Sequence, residues 1–290
     1  MKITVLVENS PGPFANLEPE FGLSLFIETN GTKILMDTGA SGHFAANADA
    51  MGIDLSAVDW LVLSHGHYDH GGGLEAFFQR NRRAKAILKR GADNLFYGSM
   101  MPALPDILHR TGLLTRYIGL DAGALGRFSD RIRWIDEPID LGAGARVLPA
   151  IPRTHPLARG NRYLLVRREG HFAPDDFSHE LLLVAEQDKE AVVFSGCAHS
   201  GILNMLEAAR LDNPKRPIRS AVGGFHLNLP RSERMSAPES EIRALAGELG
   251  RQVTGPIYTG HCTGAEAFKV METELGPRLH ALQTGMRFEV

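Results

Sequence analysis

An α/β architecture, with two β-sheets packed on each other and helices over their outer faces, follows from three features of the sequence. Short β-branched runs and turns fill the first seventy residues. Strand and helix patterns alternate again after residue 160. No disordered linker and no repeat of solenoid period lies between them, so residues 1–290 are expected to form a single domain.

Taken in order, Ile3–Val7 reads as a strand. Leu23–Glu28 and Lys33–Met36 flank Thr29-Asn30-Gly31-Thr32, and Asn-Gly between apolar runs is a strong hairpin signal. Asp37-Thr38-Gly39 is a strand-end turn. Residues 43–52 have a helical apolar period, Trp60–Ser64 reads as a short buried strand, and residues 72–83 as a helix. From about 85 to 160 the pattern is broken by Pro102, Pro105, Pro138, Pro149, Pro152 and Pro156, and short strands and loops are expected, as an irregular substrate-side region. Beyond it, Tyr163–Arg167, Leu181–Ala185, Ala191–Ser195, Ser220–Val222 and Pro256–Thr259 read as strands. Ile202–Arg210, Glu239–Leu249 and residues 265–275 read as helices.

Composition limits the partners. With 43% hydrophobic and 22% charged residues, 290 residues can bury a large core. Lys plus Arg number 31 and Asp plus Glu 34, so no basic surplus is available to neutralise a nucleic-acid backbone. Mean hydropathy is −0.12, and no apolar run reaches the length of a membrane span. The N-terminal run lacks the pattern of a signal peptide, and two cysteines cannot make a disulfide framework, so a cytoplasmic protein is expected.

Twelve histidines are the more telling figure, because several stand where a strand gives way to a Gly-rich turn. The strongest segment is Ser64-His65-Gly66-His67-Tyr68-Asp69-His70-Gly71-Gly72. His65 and His67, two apart on chain leaving a strand, can point to one side and share a cation. Asp69 and His70 can face a second cation nearby, the carboxylate adding charge compensation. Gly66 and Gly71–Gly73 are expected to let backbone pass close to the metals. Further ligands are needed, and His179, His199, His226 and His261 each border a strand edge. His179, His199 and His261 are expected as ligands, while His226 is open between ligand and acid/base. Asp37 is open between accepting a ligand imidazole N–H from behind and capping its own turn. Cys197 is open between soft ligand and packing residue, and Cys262 is read as packing. His43, His109, His155, His171 and His280 have no such setting.

These residues resemble the metallo-β-lactamase superfamily: the Asp-Thr-Gly turn at 37–39, the His-x-His-x-Asp-His run at 65–70 and strand-end histidines in the second half. The resemblance implies a four-layer αββα sandwich of two mixed sheets with a two-metal centre at one sheet edge. It implies His65, His67 and a third His, most simply His179, on one metal, and Asp69, His70 and His261 on the other. Phe194-Ser195-Gly196-Cys197 has Cys where the family usually has a bridging Asp. Cys197 ligates, His199 substitutes, or solvent alone bridges. Ser195–Ile202, Gly223–Leu227, Thr259–Gly264 and Val7-Glu8-Asn9 are further similar to the group named for dihydropterin–ribofuranosylaminobenzene 5′-phosphate synthase.

The expected function is metal-dependent hydrolysis of an ester, lactone or phosphoester by activated water, with Asp69 and His226 in catalysis and His226 as proton donor. Two divalent ions are implied, Zn first, with Fe or Mn as alternatives. Synthase-type condensation, a transferase reaction, and a metal-binding sensor without turnover are the competing readings. The expected partner is a small molecule, phosphorylated or pterin-like, for which Arg153 and Arg159 are candidate cations; nucleic acid and membrane are not expected, and a homo-oligomer is left open.

Overall fold

The computed structural model describes residues 1–100, 111–112, 114–230 and 232–290, so Pro102, Pro105 and His109 lie outside the described residues. Along the chain, β1 (Lys2–Val7), β2 (Ser24–Thr29), β3 (Thr32–Met36), β4 (Trp60–Val62) and β5 (Lys85–Lys89) build a first sheet. β6 (Leu95–Ser99) and β7 (Thr115–Tyr117) leave it for a small sheet, and β8 (Ile132–Ile135) returns to its edge. β9 (Ile139–Gly142) and β10 (Ala145–Leu148) open a second large sheet, while β11 (Leu164–Arg168) and β12 (His171–Pro174) complete the small one. β13 (Leu182–Gln187), β14 (Glu190–Phe194), β15 (Ile218–Gly224), β16 (Ile257–Gly260) and β17 (Leu279–Ala281) finish the second sheet, and β18 (Arg287–Glu289) goes back to the first, beside β1. The strand orders are β18-β1-β2-β3-β4-β5-β8, β17-β16-β15-β14-β13-β10-β9 and β12-β11-β6-β7.

Period-two alternation explains the layering. Leu25, Ile27, Ile34 and Met36 from the first sheet share one apolar cluster with Leu183, Ala185, Val192 and Phe194 from the second. Their neighbours face outwards. Phe26 and Leu35 pack with Phe44, Phe77 and Phe78 of the helices His43–Ala50 and Leu74–Arg80. Leu182, Val184 and Val193 pack with Leu206, Ile242 and Met271 of Ile202–Asp212, Glu239–Gln252 and Ala265–Leu275. Because both sheets bury both faces, their strands read as nearly continuous apolar runs. This is the expected αββα order. Among the described residues no helix is long and apolar enough to cross a membrane.

One expectation needs correction. The stretch 85–160 is not simply irregular: β5 and β8 extend the first sheet and β9 and β10 the second, while β6 and β7 alone go to the small sheet. Pro138, Pro149, Pro152 and Pro156 sit between strands, which is why the pattern looks broken. The expected helix at 72–83 is present over Leu74–Arg80, and a separate short helix, Tyr68–Gly71, precedes it.

β3, β4, β5 and β8 are parallel, as are β14, β15, β16 and β17. In such sheets ligands collect outside the carboxyl ends of the strands. Asp37 follows β3, His65 follows β4, Cys197 follows β14, His226 follows β15 and His261 follows β16.

Candidate metal centre

Three groups of donors meet at the Cys197 thiol, one of them with His226 and Cys262. Asp69, His70, His261 and Cys197 bring one ligand atom each within 4.8 Å of one another, and His65, His199 and Cys197 do the same. His67 completes the second group, with its Nδ1 facing His65 Nε2 at 3.0 Å. The rings of His65 and His67 lie 4.9 and 5.0 Å from that of His199. On the other side, His70 Nε2 is 3.1 Å from Cys197 Sγ and 3.2 Å from His261 Nε2. Asp69 Oδ2 lies 3.3 Å from His261 Nε2.

Four of the imidazoles, those of His65, His70, His199 and His261, are aimed by a partner on the far nitrogen, the arrangement that fixes a ligand's tautomer. Asp37 is fully buried at φ 62, a left-handed conformation that strains a non-glycine residue. There its Oδ2 meets His70 Nδ1 at 2.6 Å, while Ser64 donates to Oδ1 through its N–H and to Oδ2 through its hydroxyl. His65 Nδ1 rests on Ser64 Oγ at 2.9 Å, and His199 Nδ1 on Asn161 Oδ1 at 3.1 Å. His261 Nδ1 lies 2.9 Å from Asn9 Oδ1, and its backbone N–H donates to Glu8. Buried Glu180 accepts the N–H groups of His199 and Ser200 at 2.8 and 2.7 Å and so holds that turn. Glu8, Asn9, Asn161 and Glu180 were not singled out from sequence as supports. Only Val7-Glu8-Asn9 gave a signal, through the resemblance of the opening.

His179 stands apart from the other histidines. It and Asp175 also approach His67, but both of its ring nitrogens are spent. Gly66 N–H donates to Nδ1 at 3.0 Å, and Nε2 faces Asp175 Oδ2 at 3.1 Å. His199 differs from it in having an Nε2 that is buried without a partner. The glycines also act differently from expectation. A Cβ on Gly66 would lie 2.3 Å from Ala92 O and 2.6 Å from the Phe96 ring, and Gly71–Gly73 abut Leu120, Ala40 and Ser41. They make room for neighbouring chain.

Burial, reinforced by neighbouring imidazoles, holds His65 and His199 far below the usual imidazole value. Burial also brings His67 down to about 3. All three are neutral at pH 7 and offer lone pairs. Burial would raise the Asp69 carboxyl, but His70, His261 and His67 overcome it and keep the group ionised. Burial acts downward on His261, yet Cys262, Asp69 and Glu8 bring it up to about 9. Burial, Cys262 and the Asp69 and Glu180 carboxylates push the Cys197 thiol up. Unpartnered buried nitrogens on His67 and His199, and facing nitrogens about 3 Å apart, are the pattern of a donor set built around cations.

His226 sits at φ 48 with neither ring nitrogen partnered, its ring 4.1 Å from that of His199. Its N–H donates to Cys262 Sγ, so Cys262 is more than filling. His67, Asp69, Cys197, His199 and His226 line one wall of a cavity of about 380 Å³. Arg153 and Arg159 do not line it: Arg153 donates to the Asp176 carbonyl, and Arg159 pairs with Glu241. His43, His171 and His280 lie elsewhere, on the first helix, β12 and β17, and His155 lies in a separate groove.

Residues 17–224 match the family model described as the metallo-beta-lactamase superfamily. The chain is 29% identical, over 97% of its length and 95% of the relative's, to 7,8-dihydropterin-6-methyl-4-(beta-D-ribofuranosyl)-aminobenzene-5′-phosphate synthase of Methanocaldococcus jannaschii. A crystal structure of Tm1679, described as a metal-dependent hydrolase of the beta-lactamase superfamily, superposes with a TM-score of 0.79 at 26% identity, over 100% of this chain and 99% of that one. Zn(2+)-bound PqqB from Methylobacterium extorquens shares the fold at 11% identity, with a TM-score of 0.57 over 100% of both chains.

Proposed function

The chain belongs to the metallo-β-lactamase superfamily, and from that premise we propose that it is a binuclear metal-dependent hydrolase acting on an ester, lactone or phosphoester. The observation that carries the reading is Cys197, whose sulfur belongs to the Asp69 and the His65 donor groups at once. His65, His67 and His199 would hold one cation, Asp69, His70 and His261 the other, and Cys197 would bridge them where the family more often uses a carboxylate. Zn suits this mixed imidazole, carboxylate and thiolate set best, and Fe or Mn would also fit the imidazoles.

Divalent cations bound there supply Lewis acidity, polarising a carbonyl or phosphoryl oxygen and making water a nucleophile at neutral pH. The chain's own residues do the rest. Asp69, ionised in its nest of imidazoles, offers a carboxylate oxygen to orient the attacking water's proton. His226, with both ring nitrogens free at the cavity wall, delivers a proton to the leaving group from Nδ1 or Nε2. Gly160 leaves its ring room, since a Cβ there would lie 2.8 Å from Nε2.

The test is metal content by plasma mass spectrometry on protein purified without added metal or chelator. About two metals per chain are expected, with fewer in His65→Ala and His261→Ala. No metal, and no uptake on reconstitution, would overturn the reading. A second reading, the condensation chemistry, draws on the 29% identity to the Methanocaldococcus jannaschii synthase over nearly the whole chain. Pyrophosphate release from a pterin diphosphate, without hydrolysis of esters, lactones or phosphoesters, would select it. A sensor without turnover is not supported by a donor set this complete.

A further inference from the structure

The rest of the cavity lining has a character that the metal chemistry does not require. Phe21, Tyr68, Met100, Ile118, Leu164 and Pro230 line it. Phe21 and Met100 are each 47% exposed at its rim, an arrangement that costs solvation unless something apolar covers it. Into this wall the sequence sets one cation, Arg116 on β7. Its guanidinium lies over the Tyr68 ring, 5.4 Å from the centroid, and it makes no ion pair with a carboxylate among the described residues. Among the described residues the rest of the lining offers no Lys or Arg.

Arg116 is also tied to the centre through the backbone. Two residues on, Ile118 O accepts the Tyr68 N–H at 2.8 Å, and Gly119 bridges to His67. The strand carrying the guanidinium is thus pinned to the same loop that carries His67 and Asp69. Asp69, the one carboxylate lining the cavity among the described residues, is turned towards His70 and His261. A guanidinium held over an aromatic face, with no carboxylate partner among the described residues, is a fork for an oxyanion.

We propose that Arg116 is a specificity-determining residue, and that the substrate has a flat, apolar body with a carboxylate or phosphate at the end remote from the labile bond. The body lies between Tyr68 and the Phe21–Leu164 wall, the oxyanion meets Arg116, and the labile bond is presented to Cys197, His199 and His226. The placing of the labile bond rests on the hydrolytic reading; the anion site does not. A cavity of about 380 Å³ suits a one- or two-ring molecule.

Two measurements on the metal-loaded enzyme test this. The first compares kcat/KM for 4-acetoxybenzoate, 4-acetoxyphenyl phosphate and neutral phenyl acetate, which share one labile ester. The second compares calorimetric binding of 4-hydroxybenzoate with that of 4-hydroxybenzamide. The wild type is expected to favour the anions, and Arg116→Ala to cut the anion-to-neutral ratio about tenfold in both measurements. Arg116→Glu should lower it further, and Arg116→Lys should restore part of it. Preference for one anionic ester over the other tells carboxylate from phosphate. If anionic and neutral esters react alike and the acid binds no better than the amide, the Arg116 proposal falls while the hydrolase reading stands. If no ester is turned over yet 4-hydroxybenzoate binds in an Arg116-dependent way, the anion site stands and ester hydrolysis falls.

Discussion

Cys197 sits where two sets of harder ligands meet, so its replacements should separate charge from softness. Cys197→Asp keeps an anionic donor of similar reach and is expected to retain metal, whereas Cys197→Ala should lose at least about tenfold in affinity. Competition against a chromophoric chelator measures both. His179 and His199 make a second contrast, because sequence gave them similar strand-edge settings. His179→Ala removes two buried hydrogen bonds and the packing on Phe96, 4.1 Å between ring centres, and should cost about 2–4 kcal/mol in urea denaturation. His199→Ala should cost more metal affinity than His179→Ala, since only His199 has an unpartnered Nε2. Equal metal loss in the two variants would return His179 to the ligand set. Sequence could name the histidines because residue type and the 65–70 spacing carry the chemistry. It could not rank His179 against His199, because the decision lies in which nitrogen is already engaged, by Gly66, Asp175 and Asn161 from distant parts of the chain.

The elements were legible in proportion to how local their signals are. The Asn30-Gly31 hairpin forms as read, with φ of 46 and 82 supplying the turn that joins β2 to β3. Gly31→Val meets nothing within 4 Å, so its cost is backbone strain alone, about 1–2 kcal/mol in urea denaturation. Metal content should be unchanged, which makes the variant a control for general destabilisation. β17 and β18 escaped notice because three-residue strands at the sheet edges, Leu279–Ala281 and Arg287–Glu289, carry too few residues for a period. β8, β9 and β10 were obscured by intervening prolines and glycines, and only long-range pairing reveals them, as in the register of Val147 with Leu183. The support from β1 was similarly hidden. Glu8 and Asn9 meet His261 across more than 250 residues of chain.

At the scale of the molecule, the centre concentrates buried imidazoles, carboxylates and a thiol that apolar packing alone would disfavour. Cations that bind this folded set should therefore stabilise the whole chain, by about 2.7 kcal/mol at a free concentration one hundred times Kd. Chelation should lower Tm in calorimetry, and restoring Zn should raise it; an unchanged Tm would show that folding does not depend on the ions. The layered architecture was readable because both sheets are buried on both faces, and the strand-end placement of the histidines followed from it. The topology has a further result. β9 and β10 come before residue 149 but lie in the second sheet, and β18 comes from the C-terminal end but lies in the first. His65, His67, Asp69 and His70 stand before that divide, and Cys197, His199 and His261 beyond it. Cut between residues 149 and 158, the chain would become two laced fragments, neither holding a complete donor set. Metal would then act as a clasp, turning their reassembly into a signal that can be switched on by zinc and off by a chelator.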